Sequence, residues 1–287
     1  MKKILLTGGT GFIGRNIKPI LEKDYIVYSP GRTELDLTDS QNVKDVLIKN
    51  NFDVVIHAAN PNPVKNILDA PNKMLDNSLR SFYNLYQMRQ HYQKMIFFGS
   101  GAEYDKRRAI CKIKENDLGR KIPGDEYGFA KLIMNELARS SENVYNCRIF
   151  GCYGPTDHES KFITHAIHCC MRGEDITIRQ NCFFDYMHVY DLGRILPFFI
   201  DNVPLYHDYN VCSGLRVALE EIALEVQRQM KAKNKIVFLN EGMNKEYTGS
   251  NLRLLEEIGT NYKFISLAEG IKMQIESERQ EYEKKSS

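Results

Sequence analysis

The sequence predicts an α/β protein: a doubly wound parallel sheet with a smaller α/β lobe toward the C-terminus. Three observations carry this expectation. Short apolar runs bounded by turn residues alternate with longer segments of helical spacing, which predicts parallel strands covered by helices on both faces. The first apolar run leads directly into a glycine-rich turn, TGGTGFIG (7–14), and then into a helix start. Beyond Gly154-Pro155 the alternation becomes irregular, which places a second lobe there. At 287 residues the chain can bury one large core with an appended lobe and needs no covalent staple.

In chain order, strands are expected at 3–7, 25–29, 53–58, 94–99 and 144–150, with helices at 13–23, 40–50, 73–91 and 126–140 between them. The run Val54-Val55-Ile56-His57 is followed by Ala58-Ala59, small residues that leave room above a strand end. DYMHVYDL (185–192) is expected to return to the main sheet, and 215–232 carries amphipathic helical spacing. The charged tail ESERQEYEKKSS is expected to be a fraying helix end. The boundaries that follow are 1–152 with 182–212 for the main domain, and 153–181 with 213–287 for the lobe.

The balance of 39 basic and 37 acidic residues gives a net charge of +2 with no long basic run, which argues against nucleic acid as a partner. No apolar run approaches the roughly 18 residues that span a bilayer, so no membrane is expected. MKK is followed at once by a strand pattern too short for a signal peptide. Seven cysteines without a CxxC pair are expected to be reduced thiols in a cytoplasmic protein. His165, His168 and Cys169 lie close together, but zinc needs three or four convergent ligands, so no metal is expected.

The functional signals begin at the glycine turn. A strand, a turn of Gly8, Gly11 and Gly14, and a helix N-terminus together make an anion site, because unpaired N–H groups converge where the helix dipole is positive. That is the pattern of a dinucleotide-binding loop. The second signal lies after the strand KMIFFG, in Ser100, and in EYGFAK, where Tyr127 and Lys131 are four apart and share one helix face. Among sixteen tyrosines only Tyr127 is followed four residues later by lysine. A free phenol titrates near pKa ~10. An ammonium about 4 Å away, worth roughly 4 kcal/mol at an effective dielectric of ~20, is expected to bring it into range for acid–base work. Ser100 is expected to hydrogen-bond the reacting oxygen.

With these pieces in order, joined by DLTD (36–39), HAA (57–59), Asn77 in NSLRSFYNL, RIFGCYGP (148–155) and FDYMHVYDLG, the chain resembles an extended short-chain dehydrogenase/reductase. The resemblance is to the NAD-dependent epimerase/dehydratase family of nucleotide-sugar enzymes, and within it to the GDP-fucose synthase-like 4-ketoreductases. It implies a Rossmann domain with a sugar-nucleotide lobe and chemistry that begins with hydride exchange between a nicotinamide and a sugar carbon. By the same resemblance Tyr127 is the acid/base, Lys131 supports it and holds the cofactor ribose, and Ser100 polarises the sugar oxygen. The implied cofactor contacts are Gly8, Thr10, Gly11, Phe12, Ile13, Gly14, Arg32, Asp36, Leu37, Ala58, Ala59, Asn77 and Lys131. Arg32 ends the second strand where a carboxylate would favour NAD; a cationic fork suits a 2′-phosphate, so NADP is the expected cofactor, with NAD the alternative.

Departures from the family pattern narrow the chemistry. Gly101-Ala102 follow Ser100 where dehydratases place Asp-Glu, and Ala102 and Phe162 stand where GDP-fucose synthase needs a cysteine and a histidine. Neither side chain moves a proton, so 4,6-dehydration and 3,5-epimerisation are not expected. What remains is reduction of a 4-keto (deoxy)sugar nucleotide, with 4-epimerisation as the alternative. A cofactor-binding sensor or assembly factor without catalysis is the reading from a different class. Phe184 replaces an arginine that usually meets the substrate diphosphate, and Arg179 or Arg216 is the candidate replacement; Gly151 stands where relatives often carry a substrate-binding asparagine. His57 and His188 are expected to be structural. Family members often pair helices between two copies, so a homodimer through the helix bearing Tyr83 and Tyr86 is expected, with core packing of these rings the other reading.

Overall fold

A computed structural model of the chain describes residues 1–60 and 73–286. The elements begin with β1 (Lys3–Thr7), α1 (Phe12–Leu21), β2 (Ile26–Tyr28), α2 (Ser40–Asn50), β3 (Val54–His57), α3 (Lys73–Gln87) and β4 (Lys94–Ser100). Next come β5 (Ile110–Ile113), α4 (Glu126–Arg139), β6 (Val144–Ile149), β7 (Gly151–Tyr153) and α5 (Phe162–Arg172). They are followed by β8 (Ile176–Ile178), β9 (Phe183–Phe184), β10 (Tyr186–His188), α6 (Val189–Asp201) and β11 (Asp208–Val211). The chain closes with β12 (Val217–Ala218), α7 (Leu219–Met230), β13 (Ile236–Phe238), β14 (Tyr247–Gly249), α8 (Leu252–Ile258) and α9 (Leu267–Ser286).

The main sheet has the order β2-β1-β3-β4-β6-β11, with every neighbouring pair parallel. Alternation along the strands divides its core in two. Ile4 and Leu6 of β1 join Ile96, Phe98 and Ile149 under α1 and α6, while Leu5, Val55, Met95 and Phe97 pack against α2, α3 and α4. All seven residues of β4 are buried, as expected of a central strand covered on both faces. The chain leaves β1 for α1 on one face of the sheet, whereas the helix that follows β3, α3, packs on the other face. This switch between neighbouring strands opens a crevice at the carboxyl ends of β1 and β3, where ligands bind in such sheets.

Local chemistry sets the helix starts. Asp39 caps α2 by accepting from the N–H groups of Gln41 and Asn42, and Asp125 caps α4 by accepting from Gly128. α1 starts from Gly11 without any side-chain cap, so its first amides are left to another acceptor.

Two expectations are corrected. The segment 185–192 does not rejoin the main sheet. Its strand β10 pairs with β7, Tyr186 opposite Gly151, and the place beside β6 is taken by β11. Alternating apolar residues mark a strand but do not name its partner. What the segment contributes to the main core is α6, whose Leu192, Ile195 and Phe199 pack with Ile17 and Leu21 of α1. The helix expected over 73–91 ends at Gln87, with a separate 3-10 turn at Arg89–His91. The remaining strands were not anticipated: β12-β9-β14-β5 form a four-stranded sheet, and β8 pairs with β13. A third core holds Ile163, Ile167, Ile222, Val226 and Ile271 from α5, α7 and α9. Among the described residues no helix is long and apolar enough to cross a membrane.

Candidate active site

The glycine turn is built by close approach. Gly8 has φ +72°, and a Cβ there would lie 2.6 Å from the amide nitrogen of Ala59 and 2.7 Å from its Cα. A Cβ on Gly14 would collide with the Gly8 carbonyl oxygen. The loops after β1 and β3 therefore touch through bare backbone, below the uncapped start of α1. They border a cavity of about 420 Å³ lined by Gly8, Thr10, Gly11, Arg32, Asp36, Leu37, Ala58, Ala59 and Asn77. Arg32 is exposed at its rim, and the Asp36 carboxyl is held below its usual range by hydrogen bonds from Thr38. The cradle that a Cβ would fill and the open α1 amides fit the diphosphate of a dinucleotide.

A second cavity, of about 200 Å³, shares Ala58 and Asn60 with the first and is lined also by Phe12, Ile13, Ser100, Tyr127 and Lys131. Ser100 ends β4 and caps a 3-10 turn, its Oγ accepting from the Ala102 N–H at 3.2 Å. Tyr127 and Lys131 arrive together from α4 and face the same cavity as Ser100. The three residues converge as the sequence predicts.

Their electrostatics differ from the expectation. Lys131 Nζ donates to the Phe98 carbonyl at 2.8 Å and stands 5.9 Å from the centre of the Tyr127 ring. Burial pushes the Lys131 ammonium down to about 8, and burial also pushes the Tyr127 phenol up, with Glu103 and Asp125 adding to the rise and Ser100 opposing it. Within the protein alone the phenol is held protonated. Four residues on a helix put two side chains on one face, but the ammonium's hydrogen bond goes to a strand carbonyl.

Beneath Ser100 lies a buried polar network that sequence reasoning missed. Glu103 accepts from the Ser100 amide at 2.9 Å and from Arg148 Nε at 2.6 Å, and Arg148 also binds Asp208 at 2.9 Å. Glu103 and Arg148 are completely buried. The available signal was a charge inside each of two segments that otherwise belong to the core, SGAEY and CRIF. The network fixes the turn from which Ser100 projects.

The other candidates are distributed as follows. Ala102 is buried in the 3-10 turn, and Phe162 begins α5 and packs on the third core. Arg216 lies 3.3 Å above the Phe183 ring and binds Glu246 at 2.9 Å, while Arg179 is exposed at the end of β8; neither lines the cavity with Tyr127. Cys152, Asp157 and Lys161 do line it and were not singled out; burial pushes Asp157 up to about 7. His57 is buried against Thr7 Oγ1 at 2.9 Å and pushed down to about 3 by burial and Lys131. His188 is buried and caps α6. Tyr86 and Tyr92 are buried, whereas Tyr83 is half exposed.

Residues 4–212 match the model of the NAD dependent epimerase/dehydratase family. GDP-6-deoxy-D-talose 4-dehydrogenase of Aggregatibacter actinomycetemcomitans is 25% identical over 92% of this chain and 94% of its own length. Among solved structures, a GDP-L-fucose synthetase of Naegleria fowleri bound to NADP superposes with a TM-score of 0.87 at 17% identity, covering 98% of this chain and 94% of that one. The GDP-mannoheptose C4 reductase MlghC of Campylobacter jejuni, also with NADP bound, gives 0.82 at 19% identity over 97% and 98%.

Proposed function

The chain belongs to the NAD-dependent epimerase/dehydratase family, and from that premise we propose that it reduces a 4-keto (deoxy)sugar nucleotide at C4 without epimerising C3 or C5, with NADP as its cofactor. The observation that carries this reading is that the two cavities adjoin. The glycine-loop cavity and the cavity holding Ser100, Tyr127 and Lys131 have Ala58 and Asn60 in common in their walls, which sets these three residues beside the glycine cradle. When bound, the nicotinamide supplies the hydride. Gly8, Gly11 and the α1 amides would hold its diphosphate, Asn77 and Lys131 would contact it, and Arg32 would pair with a 2′-phosphate.

The protonated Tyr127 phenol donates its proton to the sugar O4 as charge develops there, and Ser100 donates a hydrogen bond to the same oxygen. A phenol held protonated suits the reductive direction, in which an acid is needed. Ala102 and Phe162, where the resemblance expects the exchanging pair, have no proton to move; Asp157 is the group in the cavity that epimerisation would have to use. The names of two relatives, a 4-dehydrogenase and a C4 reductase, support hydride transfer at C4.

The test is incubation with NADPH and a panel of nucleotide 4-keto-6-deoxysugars in deuterated water. The expected result is loss of NADPH absorbance with no deuterium at C3 or C5, and Tyr127→Phe should lose turnover while still binding NADPH. Deuterium at C3 or C5 refutes the absence of epimerisation and points to Asp157 as the exchanging group. Interconversion of C4 epimers without net NADPH consumption identifies a 4-epimerase instead. Cofactor binding without turnover on any substrate, and a cellular function that survives Tyr127→Phe, identifies a sensor.

A further inference from the structure

Ser100 has a second phenol beside it. The hydroxyl of Tyr247, on β14 of the four-stranded sheet, lies against the turn that follows Ser100: a Cβ on Gly101 would lie 2.5 Å from the Tyr247 oxygen. The ring is held on both sides, with Phe150 at 5.3 Å and Phe184 at 5.4 Å between centroids. Its backbone pairs with Phe184 of β9 and with Ile110 of β5. The hydroxyl is thus set against the Ser100–Gly101 turn by a sheet, not by a loop.

A serine hydroxyl has one proton to give and two positions at which to accept. The Ala102 N–H fills one of these at 3.2 Å. Burial pushes the Tyr247 phenol far above its usual range, so it keeps its proton and can donate it. A proton donated by Tyr247 into the second position leaves the serine's own proton one direction, toward Tyr127 or toward an oxygen placed between the two.

We propose that Tyr247 is a positioning residue that donates to Ser100 and thereby fixes the serine as a hydrogen-bond donor toward Tyr127 and toward the sugar oxygen. The role toward the sugar rests on the function proposed above, whereas the orientation of Ser100 does not. Without the Tyr247 hydroxyl, Ser100 regains a free accepting position and takes the Tyr127 proton in a hydrogen bond, which removes a donor from the reacting oxygen.

The experiment follows the Tyr127 phenol by carbon-13 NMR in full-length protein labelled at the tyrosine Cζ, its signal assigned by its loss in Tyr127→Phe. Lys131, Glu103 and Asp125 also act on this phenol, and all three stay in place throughout. Tyr247→Phe, which keeps the ring against Phe150 and Phe184, is expected to raise the Tyr127 midpoint by about one pH unit, because the protonated phenol gains Ser100 as an acceptor. In a Ser100→Ala background the same substitution is expected to change nothing. Gly101→Ala, which drives a methyl against the Tyr247 oxygen while keeping both phenols, should reproduce the rise and serves if Tyr247→Phe does not fold. In turnover, Tyr247→Phe should lower kcat about tenfold with NADPH affinity unchanged, and should have no effect after Ser100→Ala. An unmoved Tyr127 midpoint in both Tyr247→Phe and Gly101→Ala, or a shift that persists without Ser100, overturns the proposal. A shift that depends on Ser100 in a protein that reduces no 4-keto nucleotide-sugar supports the orienting role and sinks the reductase reading alone.

Discussion

Gly8→Ala tests whether the cofactor cradle depends on backbone contact. Two penalties combine at this position. Its φ of +72° costs an L-residue about 1–2 kcal/mol. The new Cβ would also sit 2.6 Å from Ala59 N and 2.8 Å from the Ala58 carbonyl carbon, where ordinary contact begins at 3.4 Å. The loop after β3 must therefore retreat by about 0.8 Å, and the atoms to be moved are backbone rather than a flexible side chain. Gly173 supplies the control: its φ is +69°, but nothing lies within 4 Å of a Cβ there. Gly173→Ala should lose about 1 kcal/mol in urea denaturation, and Gly8→Ala about 3 kcal/mol or more. NADPH fluorescence titration should show affinity at least tenfold weaker for Gly8→Ala, about 1.4 kcal/mol, and unchanged for Gly173→Ala. If the two variants lose the same stability and both bind NADPH like the parent, the close-approach reasoning is wrong.

Arg32→Ala should weaken NADPH binding about 10–100-fold and leave NADH within about threefold, because only the former offers a phosphate to the guanidinium; equal losses for both cofactors would remove Arg32 from the 2′-phosphate site. The buried Lys131 carries a pH signature. Its folded value, about 8, lies below the unfolded value of about 10.5, so between those limits the unfolded chain binds more protons and stability rises with pH. Relative to Lys131→Met, the parent should gain about 3 kcal/mol between pH ~8 and ~10.5, read from urea midpoints; a parallel profile for the two proteins would contradict the burial of a strained ammonium. Glu103→Ala should cost about 3–5 kcal/mol, since it leaves the fully buried Arg148 with one carboxylate fewer. Adding Arg148→Met should recover part of that loss, and simple additivity in thermal denaturation would mean that the two residues are not coupled.

Repeating local patterns carried most of the fold. The apolar runs that became β1, β3, β4 and β6 each put one set of side chains under α1 and α6 and the other under α2, α3 and α4. The glycine turn was legible because its requirement is local: a strand end and a helix start within eight residues leave only glycine the φ and the clearance. Tyr127 and Lys131 were legible as a pair because a helix repeats every 3.6 residues. The main-sheet return was misplaced because β10 and β11 both look like short strands, and which of them lies beside β6 depends on a pairing edge that no local pattern describes.

At the candidate site, residue identity was written in the chain and residue environment was not. That Tyr127 would be flanked by Ser100 and Lys131 follows from motif and spacing. That the lysine donates to the Phe98 carbonyl, that Glu103 and Arg148 meet beneath the serine, and that Tyr247 lies against the turn after Ser100 are contacts between segments far apart in sequence. A hydrogen bond or a desolvated charge takes its strength from the partner and the dielectric around it. Those are established only when distant strands close over the same few ångströms, so they belong to the packed chain and not to any stretch of it.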